Sequence, residues 1–121
     1  MAYDSPQYVV RQERSQLMVA GAATESARMI NFQRLRLKKV HAHVVTAGTA
    51  TTHALNIYHG TTSIGAIAVS TATALSTFSS AALNRTVESL ERLAVRTGAD
   101  ATGVCMVSYE FEILPDAVIS A

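Results

Sequence analysis

The stretch VCMVSYEFEIL, residues 104–114, decides the fold class. Cys105, Val107, Tyr109, Phe111 and Ile113 take every odd position and are apolar or aromatic, while Ser108, Glu110 and Glu112 take even positions and are polar. Successive side chains of a strand point to opposite faces, so this period of two predicts a strand with one face in a core and the other in water. β-Branched and aromatic residues suit such a half-buried pleat. Pro115 ends the ladder, because it has no N–H to donate. Upstream, Gly98-Ala99-Asp100-Ala101-Thr102-Gly103 is a turn cluster, and Leu93-Ala94-Val95-Arg96 precedes it. Residues 92–114 are therefore expected to form a β-hairpin with a loop of about six residues.

Further strands precede this one. A long strand is expected from Phe32 to Val45, with a defect: Leu35 and Leu37 share one phase, whereas Val40, Ala42 and Val44 share the other. A one-residue slip flips every side chain, so a bulge or bend is expected at Lys38-Lys39. His53–His59 and Ile64–Val69, joined by the turn His59-Gly60-Thr61-Thr62-Ser63, read as a hairpin, and Gly65 inside it suggests a bulge or a close backbone approach. Residues 70–82 are small and of low complexity and read as loop and edge strand, and residues 83–87 as another short strand. Six to eight short strands with Gly, Ser, Thr and Asp turns predict an all-β fold, a β-sandwich or small barrel. A doubly layered jelly roll manages its edges at this length, so a jelly-roll-like antiparallel β-sandwich over residues 32–121 is expected.

Residues 1–31 differ. Ser5-Pro6 marks an extended start, Tyr8-Val9-Val10 and Leu17-Met18-Val19-Ala20 are separate apolar patches, and Gly21 breaks the second. No period holds for more than a few residues, so this segment reads as an N-terminal arm outside the sheet. Alone it cannot bury enough surface to offset an ordering cost of about 1–2 kcal/mol per residue. Against a partner, Tyr8, Val9, Val10, Leu17, Met18 and Val19 are expected to dock in apolar grooves. Arg11, Arg14 and Arg28 are expected to meet carboxylates at the rim. A chain starting at Asn31 is then expected to remain folded and to bind its partner weakly.

The 121 residues suffice for one domain with a modest core; 49% are hydrophobic and 16% charged, and the net charge is +1. That balance suggests neither nucleic acid nor a membrane surface. Charge is unevenly placed. Residues 1–39 carry seven basic and three acidic residues, residues 40–84 carry no Asp, Glu, Lys or Arg, and residues 85–121 carry three arginines against six acids. The uncharged stretch is either a hydroxyl-rich soluble surface or one that faces other subunits. Cys105 is the sole cysteine, so no internal disulfide forms. The start MAYDSPQYVV has no basic-then-apolar block and reads as no secretory signal. No run approaches 18 apolar residues, so no membrane helix is expected. Manufacture in a cytoplasm fits.

Little of the sequence points to chemistry. His41-Ala42-His43 places two imidazoles on one strand face about 7 Å apart, with His53 and His59 on a later strand. The pair resembles the histidines of cupins, but Val44-Val45-Thr46-Ala47-Gly48 supplies no carboxylate, and a metal needs three or more converging ligands. The histidines are read as polar-face or interface residues, with no metal and no cofactor. Cys105 faces the expected core, where a thiol behaves as a small hydrophobe. Glu110 and Glu112 share a face at about glycosidase-pair spacing, yet the chain has no tryptophan and no nearby sugar platform. They read as a solvated face. Phosphate-binding glycine loops and a Gly-x-Ser-x-Gly elbow are lacking. The chain is read as not an enzyme.

TAGTATTHALNIYHGTTSIGAIAV, residues 46–69, and LNRTVESLERLAVRTGADATGVCMVSYEFEI, residues 83–113, together resemble the small jelly-roll cement, or decoration, proteins on the heads of tailed bacteriophages. The shared features are a Thr/Ala/Gly-rich strand with a short turn, here Gly60-Thr61-Thr62, and a late strand–loop–strand ending in an alternating strand. The resemblance covers roughly residues 32–114. It implies a structural virion protein on the capsid exterior. Its partners would be the major capsid protein and further copies of itself, as dimers or trimers. The alternative expectation is a small carbohydrate- or receptor-binding β-sandwich of a virion tail, which calls for aromatics clustered on loops, where only Phe78 is expected.

Overall fold

A computed structural model describes residues 11–99 and 102–114, with side chains from Leu17 onward. Nine strands run through them: β1 (Arg11–Ala20), β2 (Glu25–Ile30), β3 (Leu35–Thr46), β4 (Ala54–His59), β5 (Thr62–Ala68), β6 (Thr77–Ser79), β7 (Arg85–Val87), β8 (Arg92–Thr97) and β9 (Val104–Ile113). The described residues contain no helix. One sheet has the order β1-β9-β3-β6, with β7 also paired to β3, and the other has the order β2-β8-β4-β5. All these pairings are antiparallel. β6 meets β3 at His41–His43 and β7 meets it at Leu35–Leu37, so the two short strands act as one interrupted edge strand. With β6 and β7 counted as one, eight strands shared between two sheets in these orders make a jelly roll.

The core lies between the sheets. Leu35, Leu37, Val40, Val44, Tyr109 and Phe111 face it from the five-stranded sheet, and Leu55, Ile57, Leu93 and Val95 from the four-stranded one, each at most 1% exposed. Fully burying one such apolar side chain contributes about 1.5–3 kcal/mol. β9 alternates as its sequence predicts, with Cys105, Val107, Tyr109 and Phe111 buried and the residues between them partly exposed. The phase slip of β3 is also present. Its register against β9 shifts between Leu37 and Lys39, which lets Leu37 and Val40 both point inward. The β4–β5 hairpin forms, with a register shift opposite Ile57 and Tyr58. A Cβ added at Gly65 would come within 3.0 Å of the Leu83 side chain, so the glycine marks a close approach.

Two expectations are corrected. Residues 92–114 are not a hairpin: β8 pairs with β2 and β4, while β9 pairs with β1 and β3, so the connection crosses from one sheet to the other. The segment read as a free arm is also largely sheet. β1 pairs with β9 from Arg11↔Glu112 to Ala20↔Val104, and β2 pairs with β8 from Glu25↔Arg96 to Ile30↔Arg92. The pairing supplies the backbone hydrogen bonds that the isolated segment lacks, and Val19, Ala27 and Met29 enter the core. Both strands carry a register shift, between Arg14 and Leu17 and between Ser26 and Met29. These shifts broke the sequence period. Residues 1–10 lie outside the described residues.

Tyr109 ties the two sheets together. Its hydroxyl donates to the Ala27 carbonyl over 2.8 Å, across the core. Ala27 sits in the β2 irregularity with φ of 52°, a left-handed conformation that takes its carbonyl out of the ladder direction. Burial first, and then the negative charge of Glu25, push the phenol's pKa well above its ordinary range, so it stays a donor. Tyr109→Phe is expected to cost about 1–3 kcal/mol by leaving that carbonyl unpartnered. Urea unfolding measures it, and a midpoint equal to that of the unaltered chain would show that the bond contributes nothing.

Candidate functional site

The strands gather their connections at two ends. At one end Ala23 N–H donates to the Gly98 carbonyl (2.9 Å), Thr49 N–H to Thr102 Oγ1 (2.7 Å) and Leu75 N–H to the Val44 carbonyl (2.8 Å). At the other, Leu90 N–H donates to Asn31, Gly60 N–H to Arg92 and Leu114 N–H to Arg34. The first is called here the neutral end, because the outer face of the five-stranded sheet loses its charges toward it. Nearest the opposite end, Lys38 Nζ pairs with Glu112 at 3.3 Å. Next, His41 bridges strands: Nδ1 is 2.7 Å from Ser79 Oγ and Nε2 is 2.9 Å from Glu110 Oε1. Beyond them comes a row in register, Met18↔Met106 and Met106↔His43, with Thr77 opposite His43. A shallow groove of about 270 Å³ lies along this row, lined by His41, His43, Thr77, Met106 and Ser108 among others.

Exposed apolar side chains surround the groove. Met18 is 48% exposed and Leu75 79%. Val45 is also exposed. Leu75 has a φ of 75°, the left-handed region that a bulky residue avoids, so the backbone presents this side chain to solvent under strain. β6 borders the groove through Thr77, and farther along the chain Leu83 packs near Gly65 of β5. β5 and β6 are the edge strands of their sheets on this side. Neither carries a charge or a proline, two of the devices that blunt an open edge, while β6 is only three residues long and β5 carries a register irregularity between Gly65 and Ser63.

The residues expected to bind a partner do not form one surface. Val19 is 2% exposed, and Leu17 packs against the core, so these two are structural. Met18 points outward into the neutral row. Arg28 lies on the other sheet, with Nε 3.0 Å from Glu25 Oε2. Tyr8, Val9 and Val10 lie outside the described residues, as do the side chains of Arg11 and Arg14. Val45, Leu75 and Met106 were not singled out from sequence. The missing link is the pairing that sets Met18 beside Met106, 88 positions apart in the chain.

The chemical candidates are spread over both sheets. His41 and His43 lie on the outer face. His53 is 5% exposed, burial holds its pKa below the ordinary value, and its Nδ1 is without a partner. His59 accepts at Nδ1 from Arg85 Nε (3.0 Å). That assigns its proton to Nε2, which donates to Glu91 Oε1 at 2.9 Å. Among the described residues no three His, Cys, Asp or Glu side chains are grouped to hold a metal ion. The Ser79–His41–Glu110 chain has the members of a hydrolytic triad, but Nδ1 faces the hydroxyl, where such triads use Nε2. Cys105 is buried, and burial raises its pKa, which keeps the thiol protonated and unreactive. Glu110 and Glu112 share the outer face, engaged by His41 and Lys38. Phe78 belongs to β6 and is half-buried, not on a loop. No helix of the described residues is long and apolar enough to cross a membrane.

No family model, curated protein or solved structure matches the chain.

Proposed function

We propose that the chain is a cement protein of a tailed-phage capsid, bound to the outside of the major capsid shell and to copies of itself. The observation that carries this reading is the uncharged surface at the neutral end. Apolar and hydroxyl side chains and a strained exposed leucine lie on it, bordered by β6, an edge strand without charge or proline. Interface cores are depleted of charge in the same way and enriched in methionine, here Met18 and Met106. The jelly roll supplies a rigid two-sheet body for such contacts, and the resemblance of residues 46–69 and 83–113 to cement proteins points the same way. This chemistry is adhesive: it requires no cofactor and no bond making.

Co-sedimentation with capsid shells that lack their cement protein tests the proposal. The full chain is expected to pellet with shells in a fixed ratio to the major capsid protein. Leu75→Asp/Met18→Asp places two charges on the neutral surface while leaving the core untouched, and is expected to lose shell binding with an unchanged melting temperature. Failure of the full chain to pellet, or undiminished binding by the double variant, would remove the proposal's support.

A further inference from the structure

On the outer face of the four-stranded sheet three guanidinium groups surround one carboxylate. Arg28 Nε and Arg92 Nη1 lie 3.0 and 3.5 Å from Glu25 Oε2, and Arg96 Nε lies 3.2 Å from Oε1. Strand pairing builds the group: Glu25 stands opposite Arg96, and Arg92 and Arg96 share one face of β8. Burial alone would raise the Glu25 pKa. Hydrogen bonds from Arg96 and Arg28 and the charges of Arg92 and Arg96 outweigh it and hold the carboxyl below the ordinary range. Glu25 is therefore ionised, and the cluster keeps a net charge of two positive units.

The cluster has spare capacity. A carboxylate offers about four lone-pair sites, and each guanidinium has five N–H donors. Arg92 Nε is buried and has no partner, and a buried charged donor left unmade is costly. Arg96 is pre-positioned, its guanidinium carbon 4.2 Å from the centre of the Tyr58 ring. Beside the cluster lies an open depression of about 530 Å³ lined by Ala23, Thr24, Glu25, Arg92, Arg96 and Thr97. Guanidinium forks match carboxylates bidentately, and the spare donors point to a second such group.

We propose that Arg28, Arg92 and Arg96 form a binding site for the carboxylates of an extended acidic protein segment. Arg92 and Arg96 are four residues apart on one strand, roughly 13 Å along the backbone, yet their guanidiniums converge on the two oxygens of Glu25. Alternate side chains of an extended segment lie about 7 Å apart, so neighbouring carboxylates of one segment can reach this compact group together. A nucleic-acid backbone fits less well. It carries closely spaced phosphates and needs a continuous basic track, whereas Glu25 sits in the middle of this one. The site stands on its own geometry and does not depend on the capsid reading.

Titration of the full ¹⁵N-labelled chain at fixed ionic strength tests the site. Hexaglutamate, a six-nucleotide deoxythymidine strand and sodium sulfate are the three probes, read through the arginine Nε–H resonances. Hexaglutamate is expected to shift Arg92 and Arg96 saturably, at least tenfold more tightly than either other probe. Arg92→Gln/Arg96→Gln is expected to weaken it at least tenfold. Glu25→Gln is expected to tighten it several-fold, because donors now held by Glu25 become available. An absence of saturable shifts, tighter binding of the nucleotide strand, or equal binding of sulfate overturns the proposal. If the double arginine variant does not fold, Glu25→Gln decides: unchanged or weaker hexaglutamate binding overturns it.

Discussion

Phe111→Asp is expected to leave the chain without a cooperative unfolding transition at 25 °C. Phe111 is 1% exposed on β9, between Gln12 of β1 and Leu37 of β3 in the ladder. Truncating a buried phenylalanine alone costs about 3–5 kcal/mol. An aspartate there must also shed its hydration or be protonated, at a further cost of several kcal/mol. Domains of this size have roughly 5–15 kcal/mol in total. Glu110→Ala, one residue away, faces the opposite side. It loses a partly exposed bond to His41 and is expected to cost about 0.2–1 kcal/mol. Near-ultraviolet circular dichroism and urea melts separate the two variants. Similar spectra and midpoints would mean that the inward and outward faces of β9 had been interchanged.

The second large effect concerns the N-terminal strands. A chain beginning at Asn31 lacks β1 and β2, one edge strand from each sheet. β9 would lose its partner from Val104 to Glu112 and β8 its partner from Arg92 to Arg96. Val19, Ala27 and Met29 would leave the core, and the Tyr109 hydroxyl would lose its acceptor. Such a chain is expected to be unfolded or aggregated, since two hydrophobic strands would become open edges. A chain beginning at Arg11 retains every described pairing and is expected to melt cooperatively. A sharp melt for the chain beginning at Asn31 would show that β1 and β2 are dispensable, as the sequence alone suggested.

The features legible in the sequence are local ones. The inward set of β9, the slip at Lys38-Lys39 and the β4–β5 hairpin each depend on neighbours within a few residues, where period and turn chemistry act. Strand partnership does not. The segment from Arg92 to Leu114 reads as a hairpin because its loop is short, yet its two strands enter different sheets. β1 and β2 were unreadable because irregularities between Arg14 and Leu17 and between Ser26 and Met29 interrupt an already brief alternation. Both surfaces argued for above share this difficulty. Met18 meets Met106, and Glu25 meets Arg96, only once the two ends of the chain have paired. The charge-free stretch of residues 40–84 was visible as composition, but its continuation onto Met18 and Met106 was not.

The pairing of β1 with β9 also sets the order of events during synthesis. Arg11 stands opposite Glu112, so the first described strand waits for the last described strand before its ladder can close. Until β9 leaves the ribosome, β1 and β3 lack the strand that lies between them. Before then the β2-β8-β4-β5 sheet and the short β6 and β7 contacts with β3 can form, and they include the β5 and β6 edges. Folding is thus expected to complete only once β9 has emerged, on the millisecond-to-second scale of β-proteins dominated by distant contacts. In that interval the nascent chain shows its adhesive strands before it has its body, so crowded synthesis favours premature association of copies over orderly assembly.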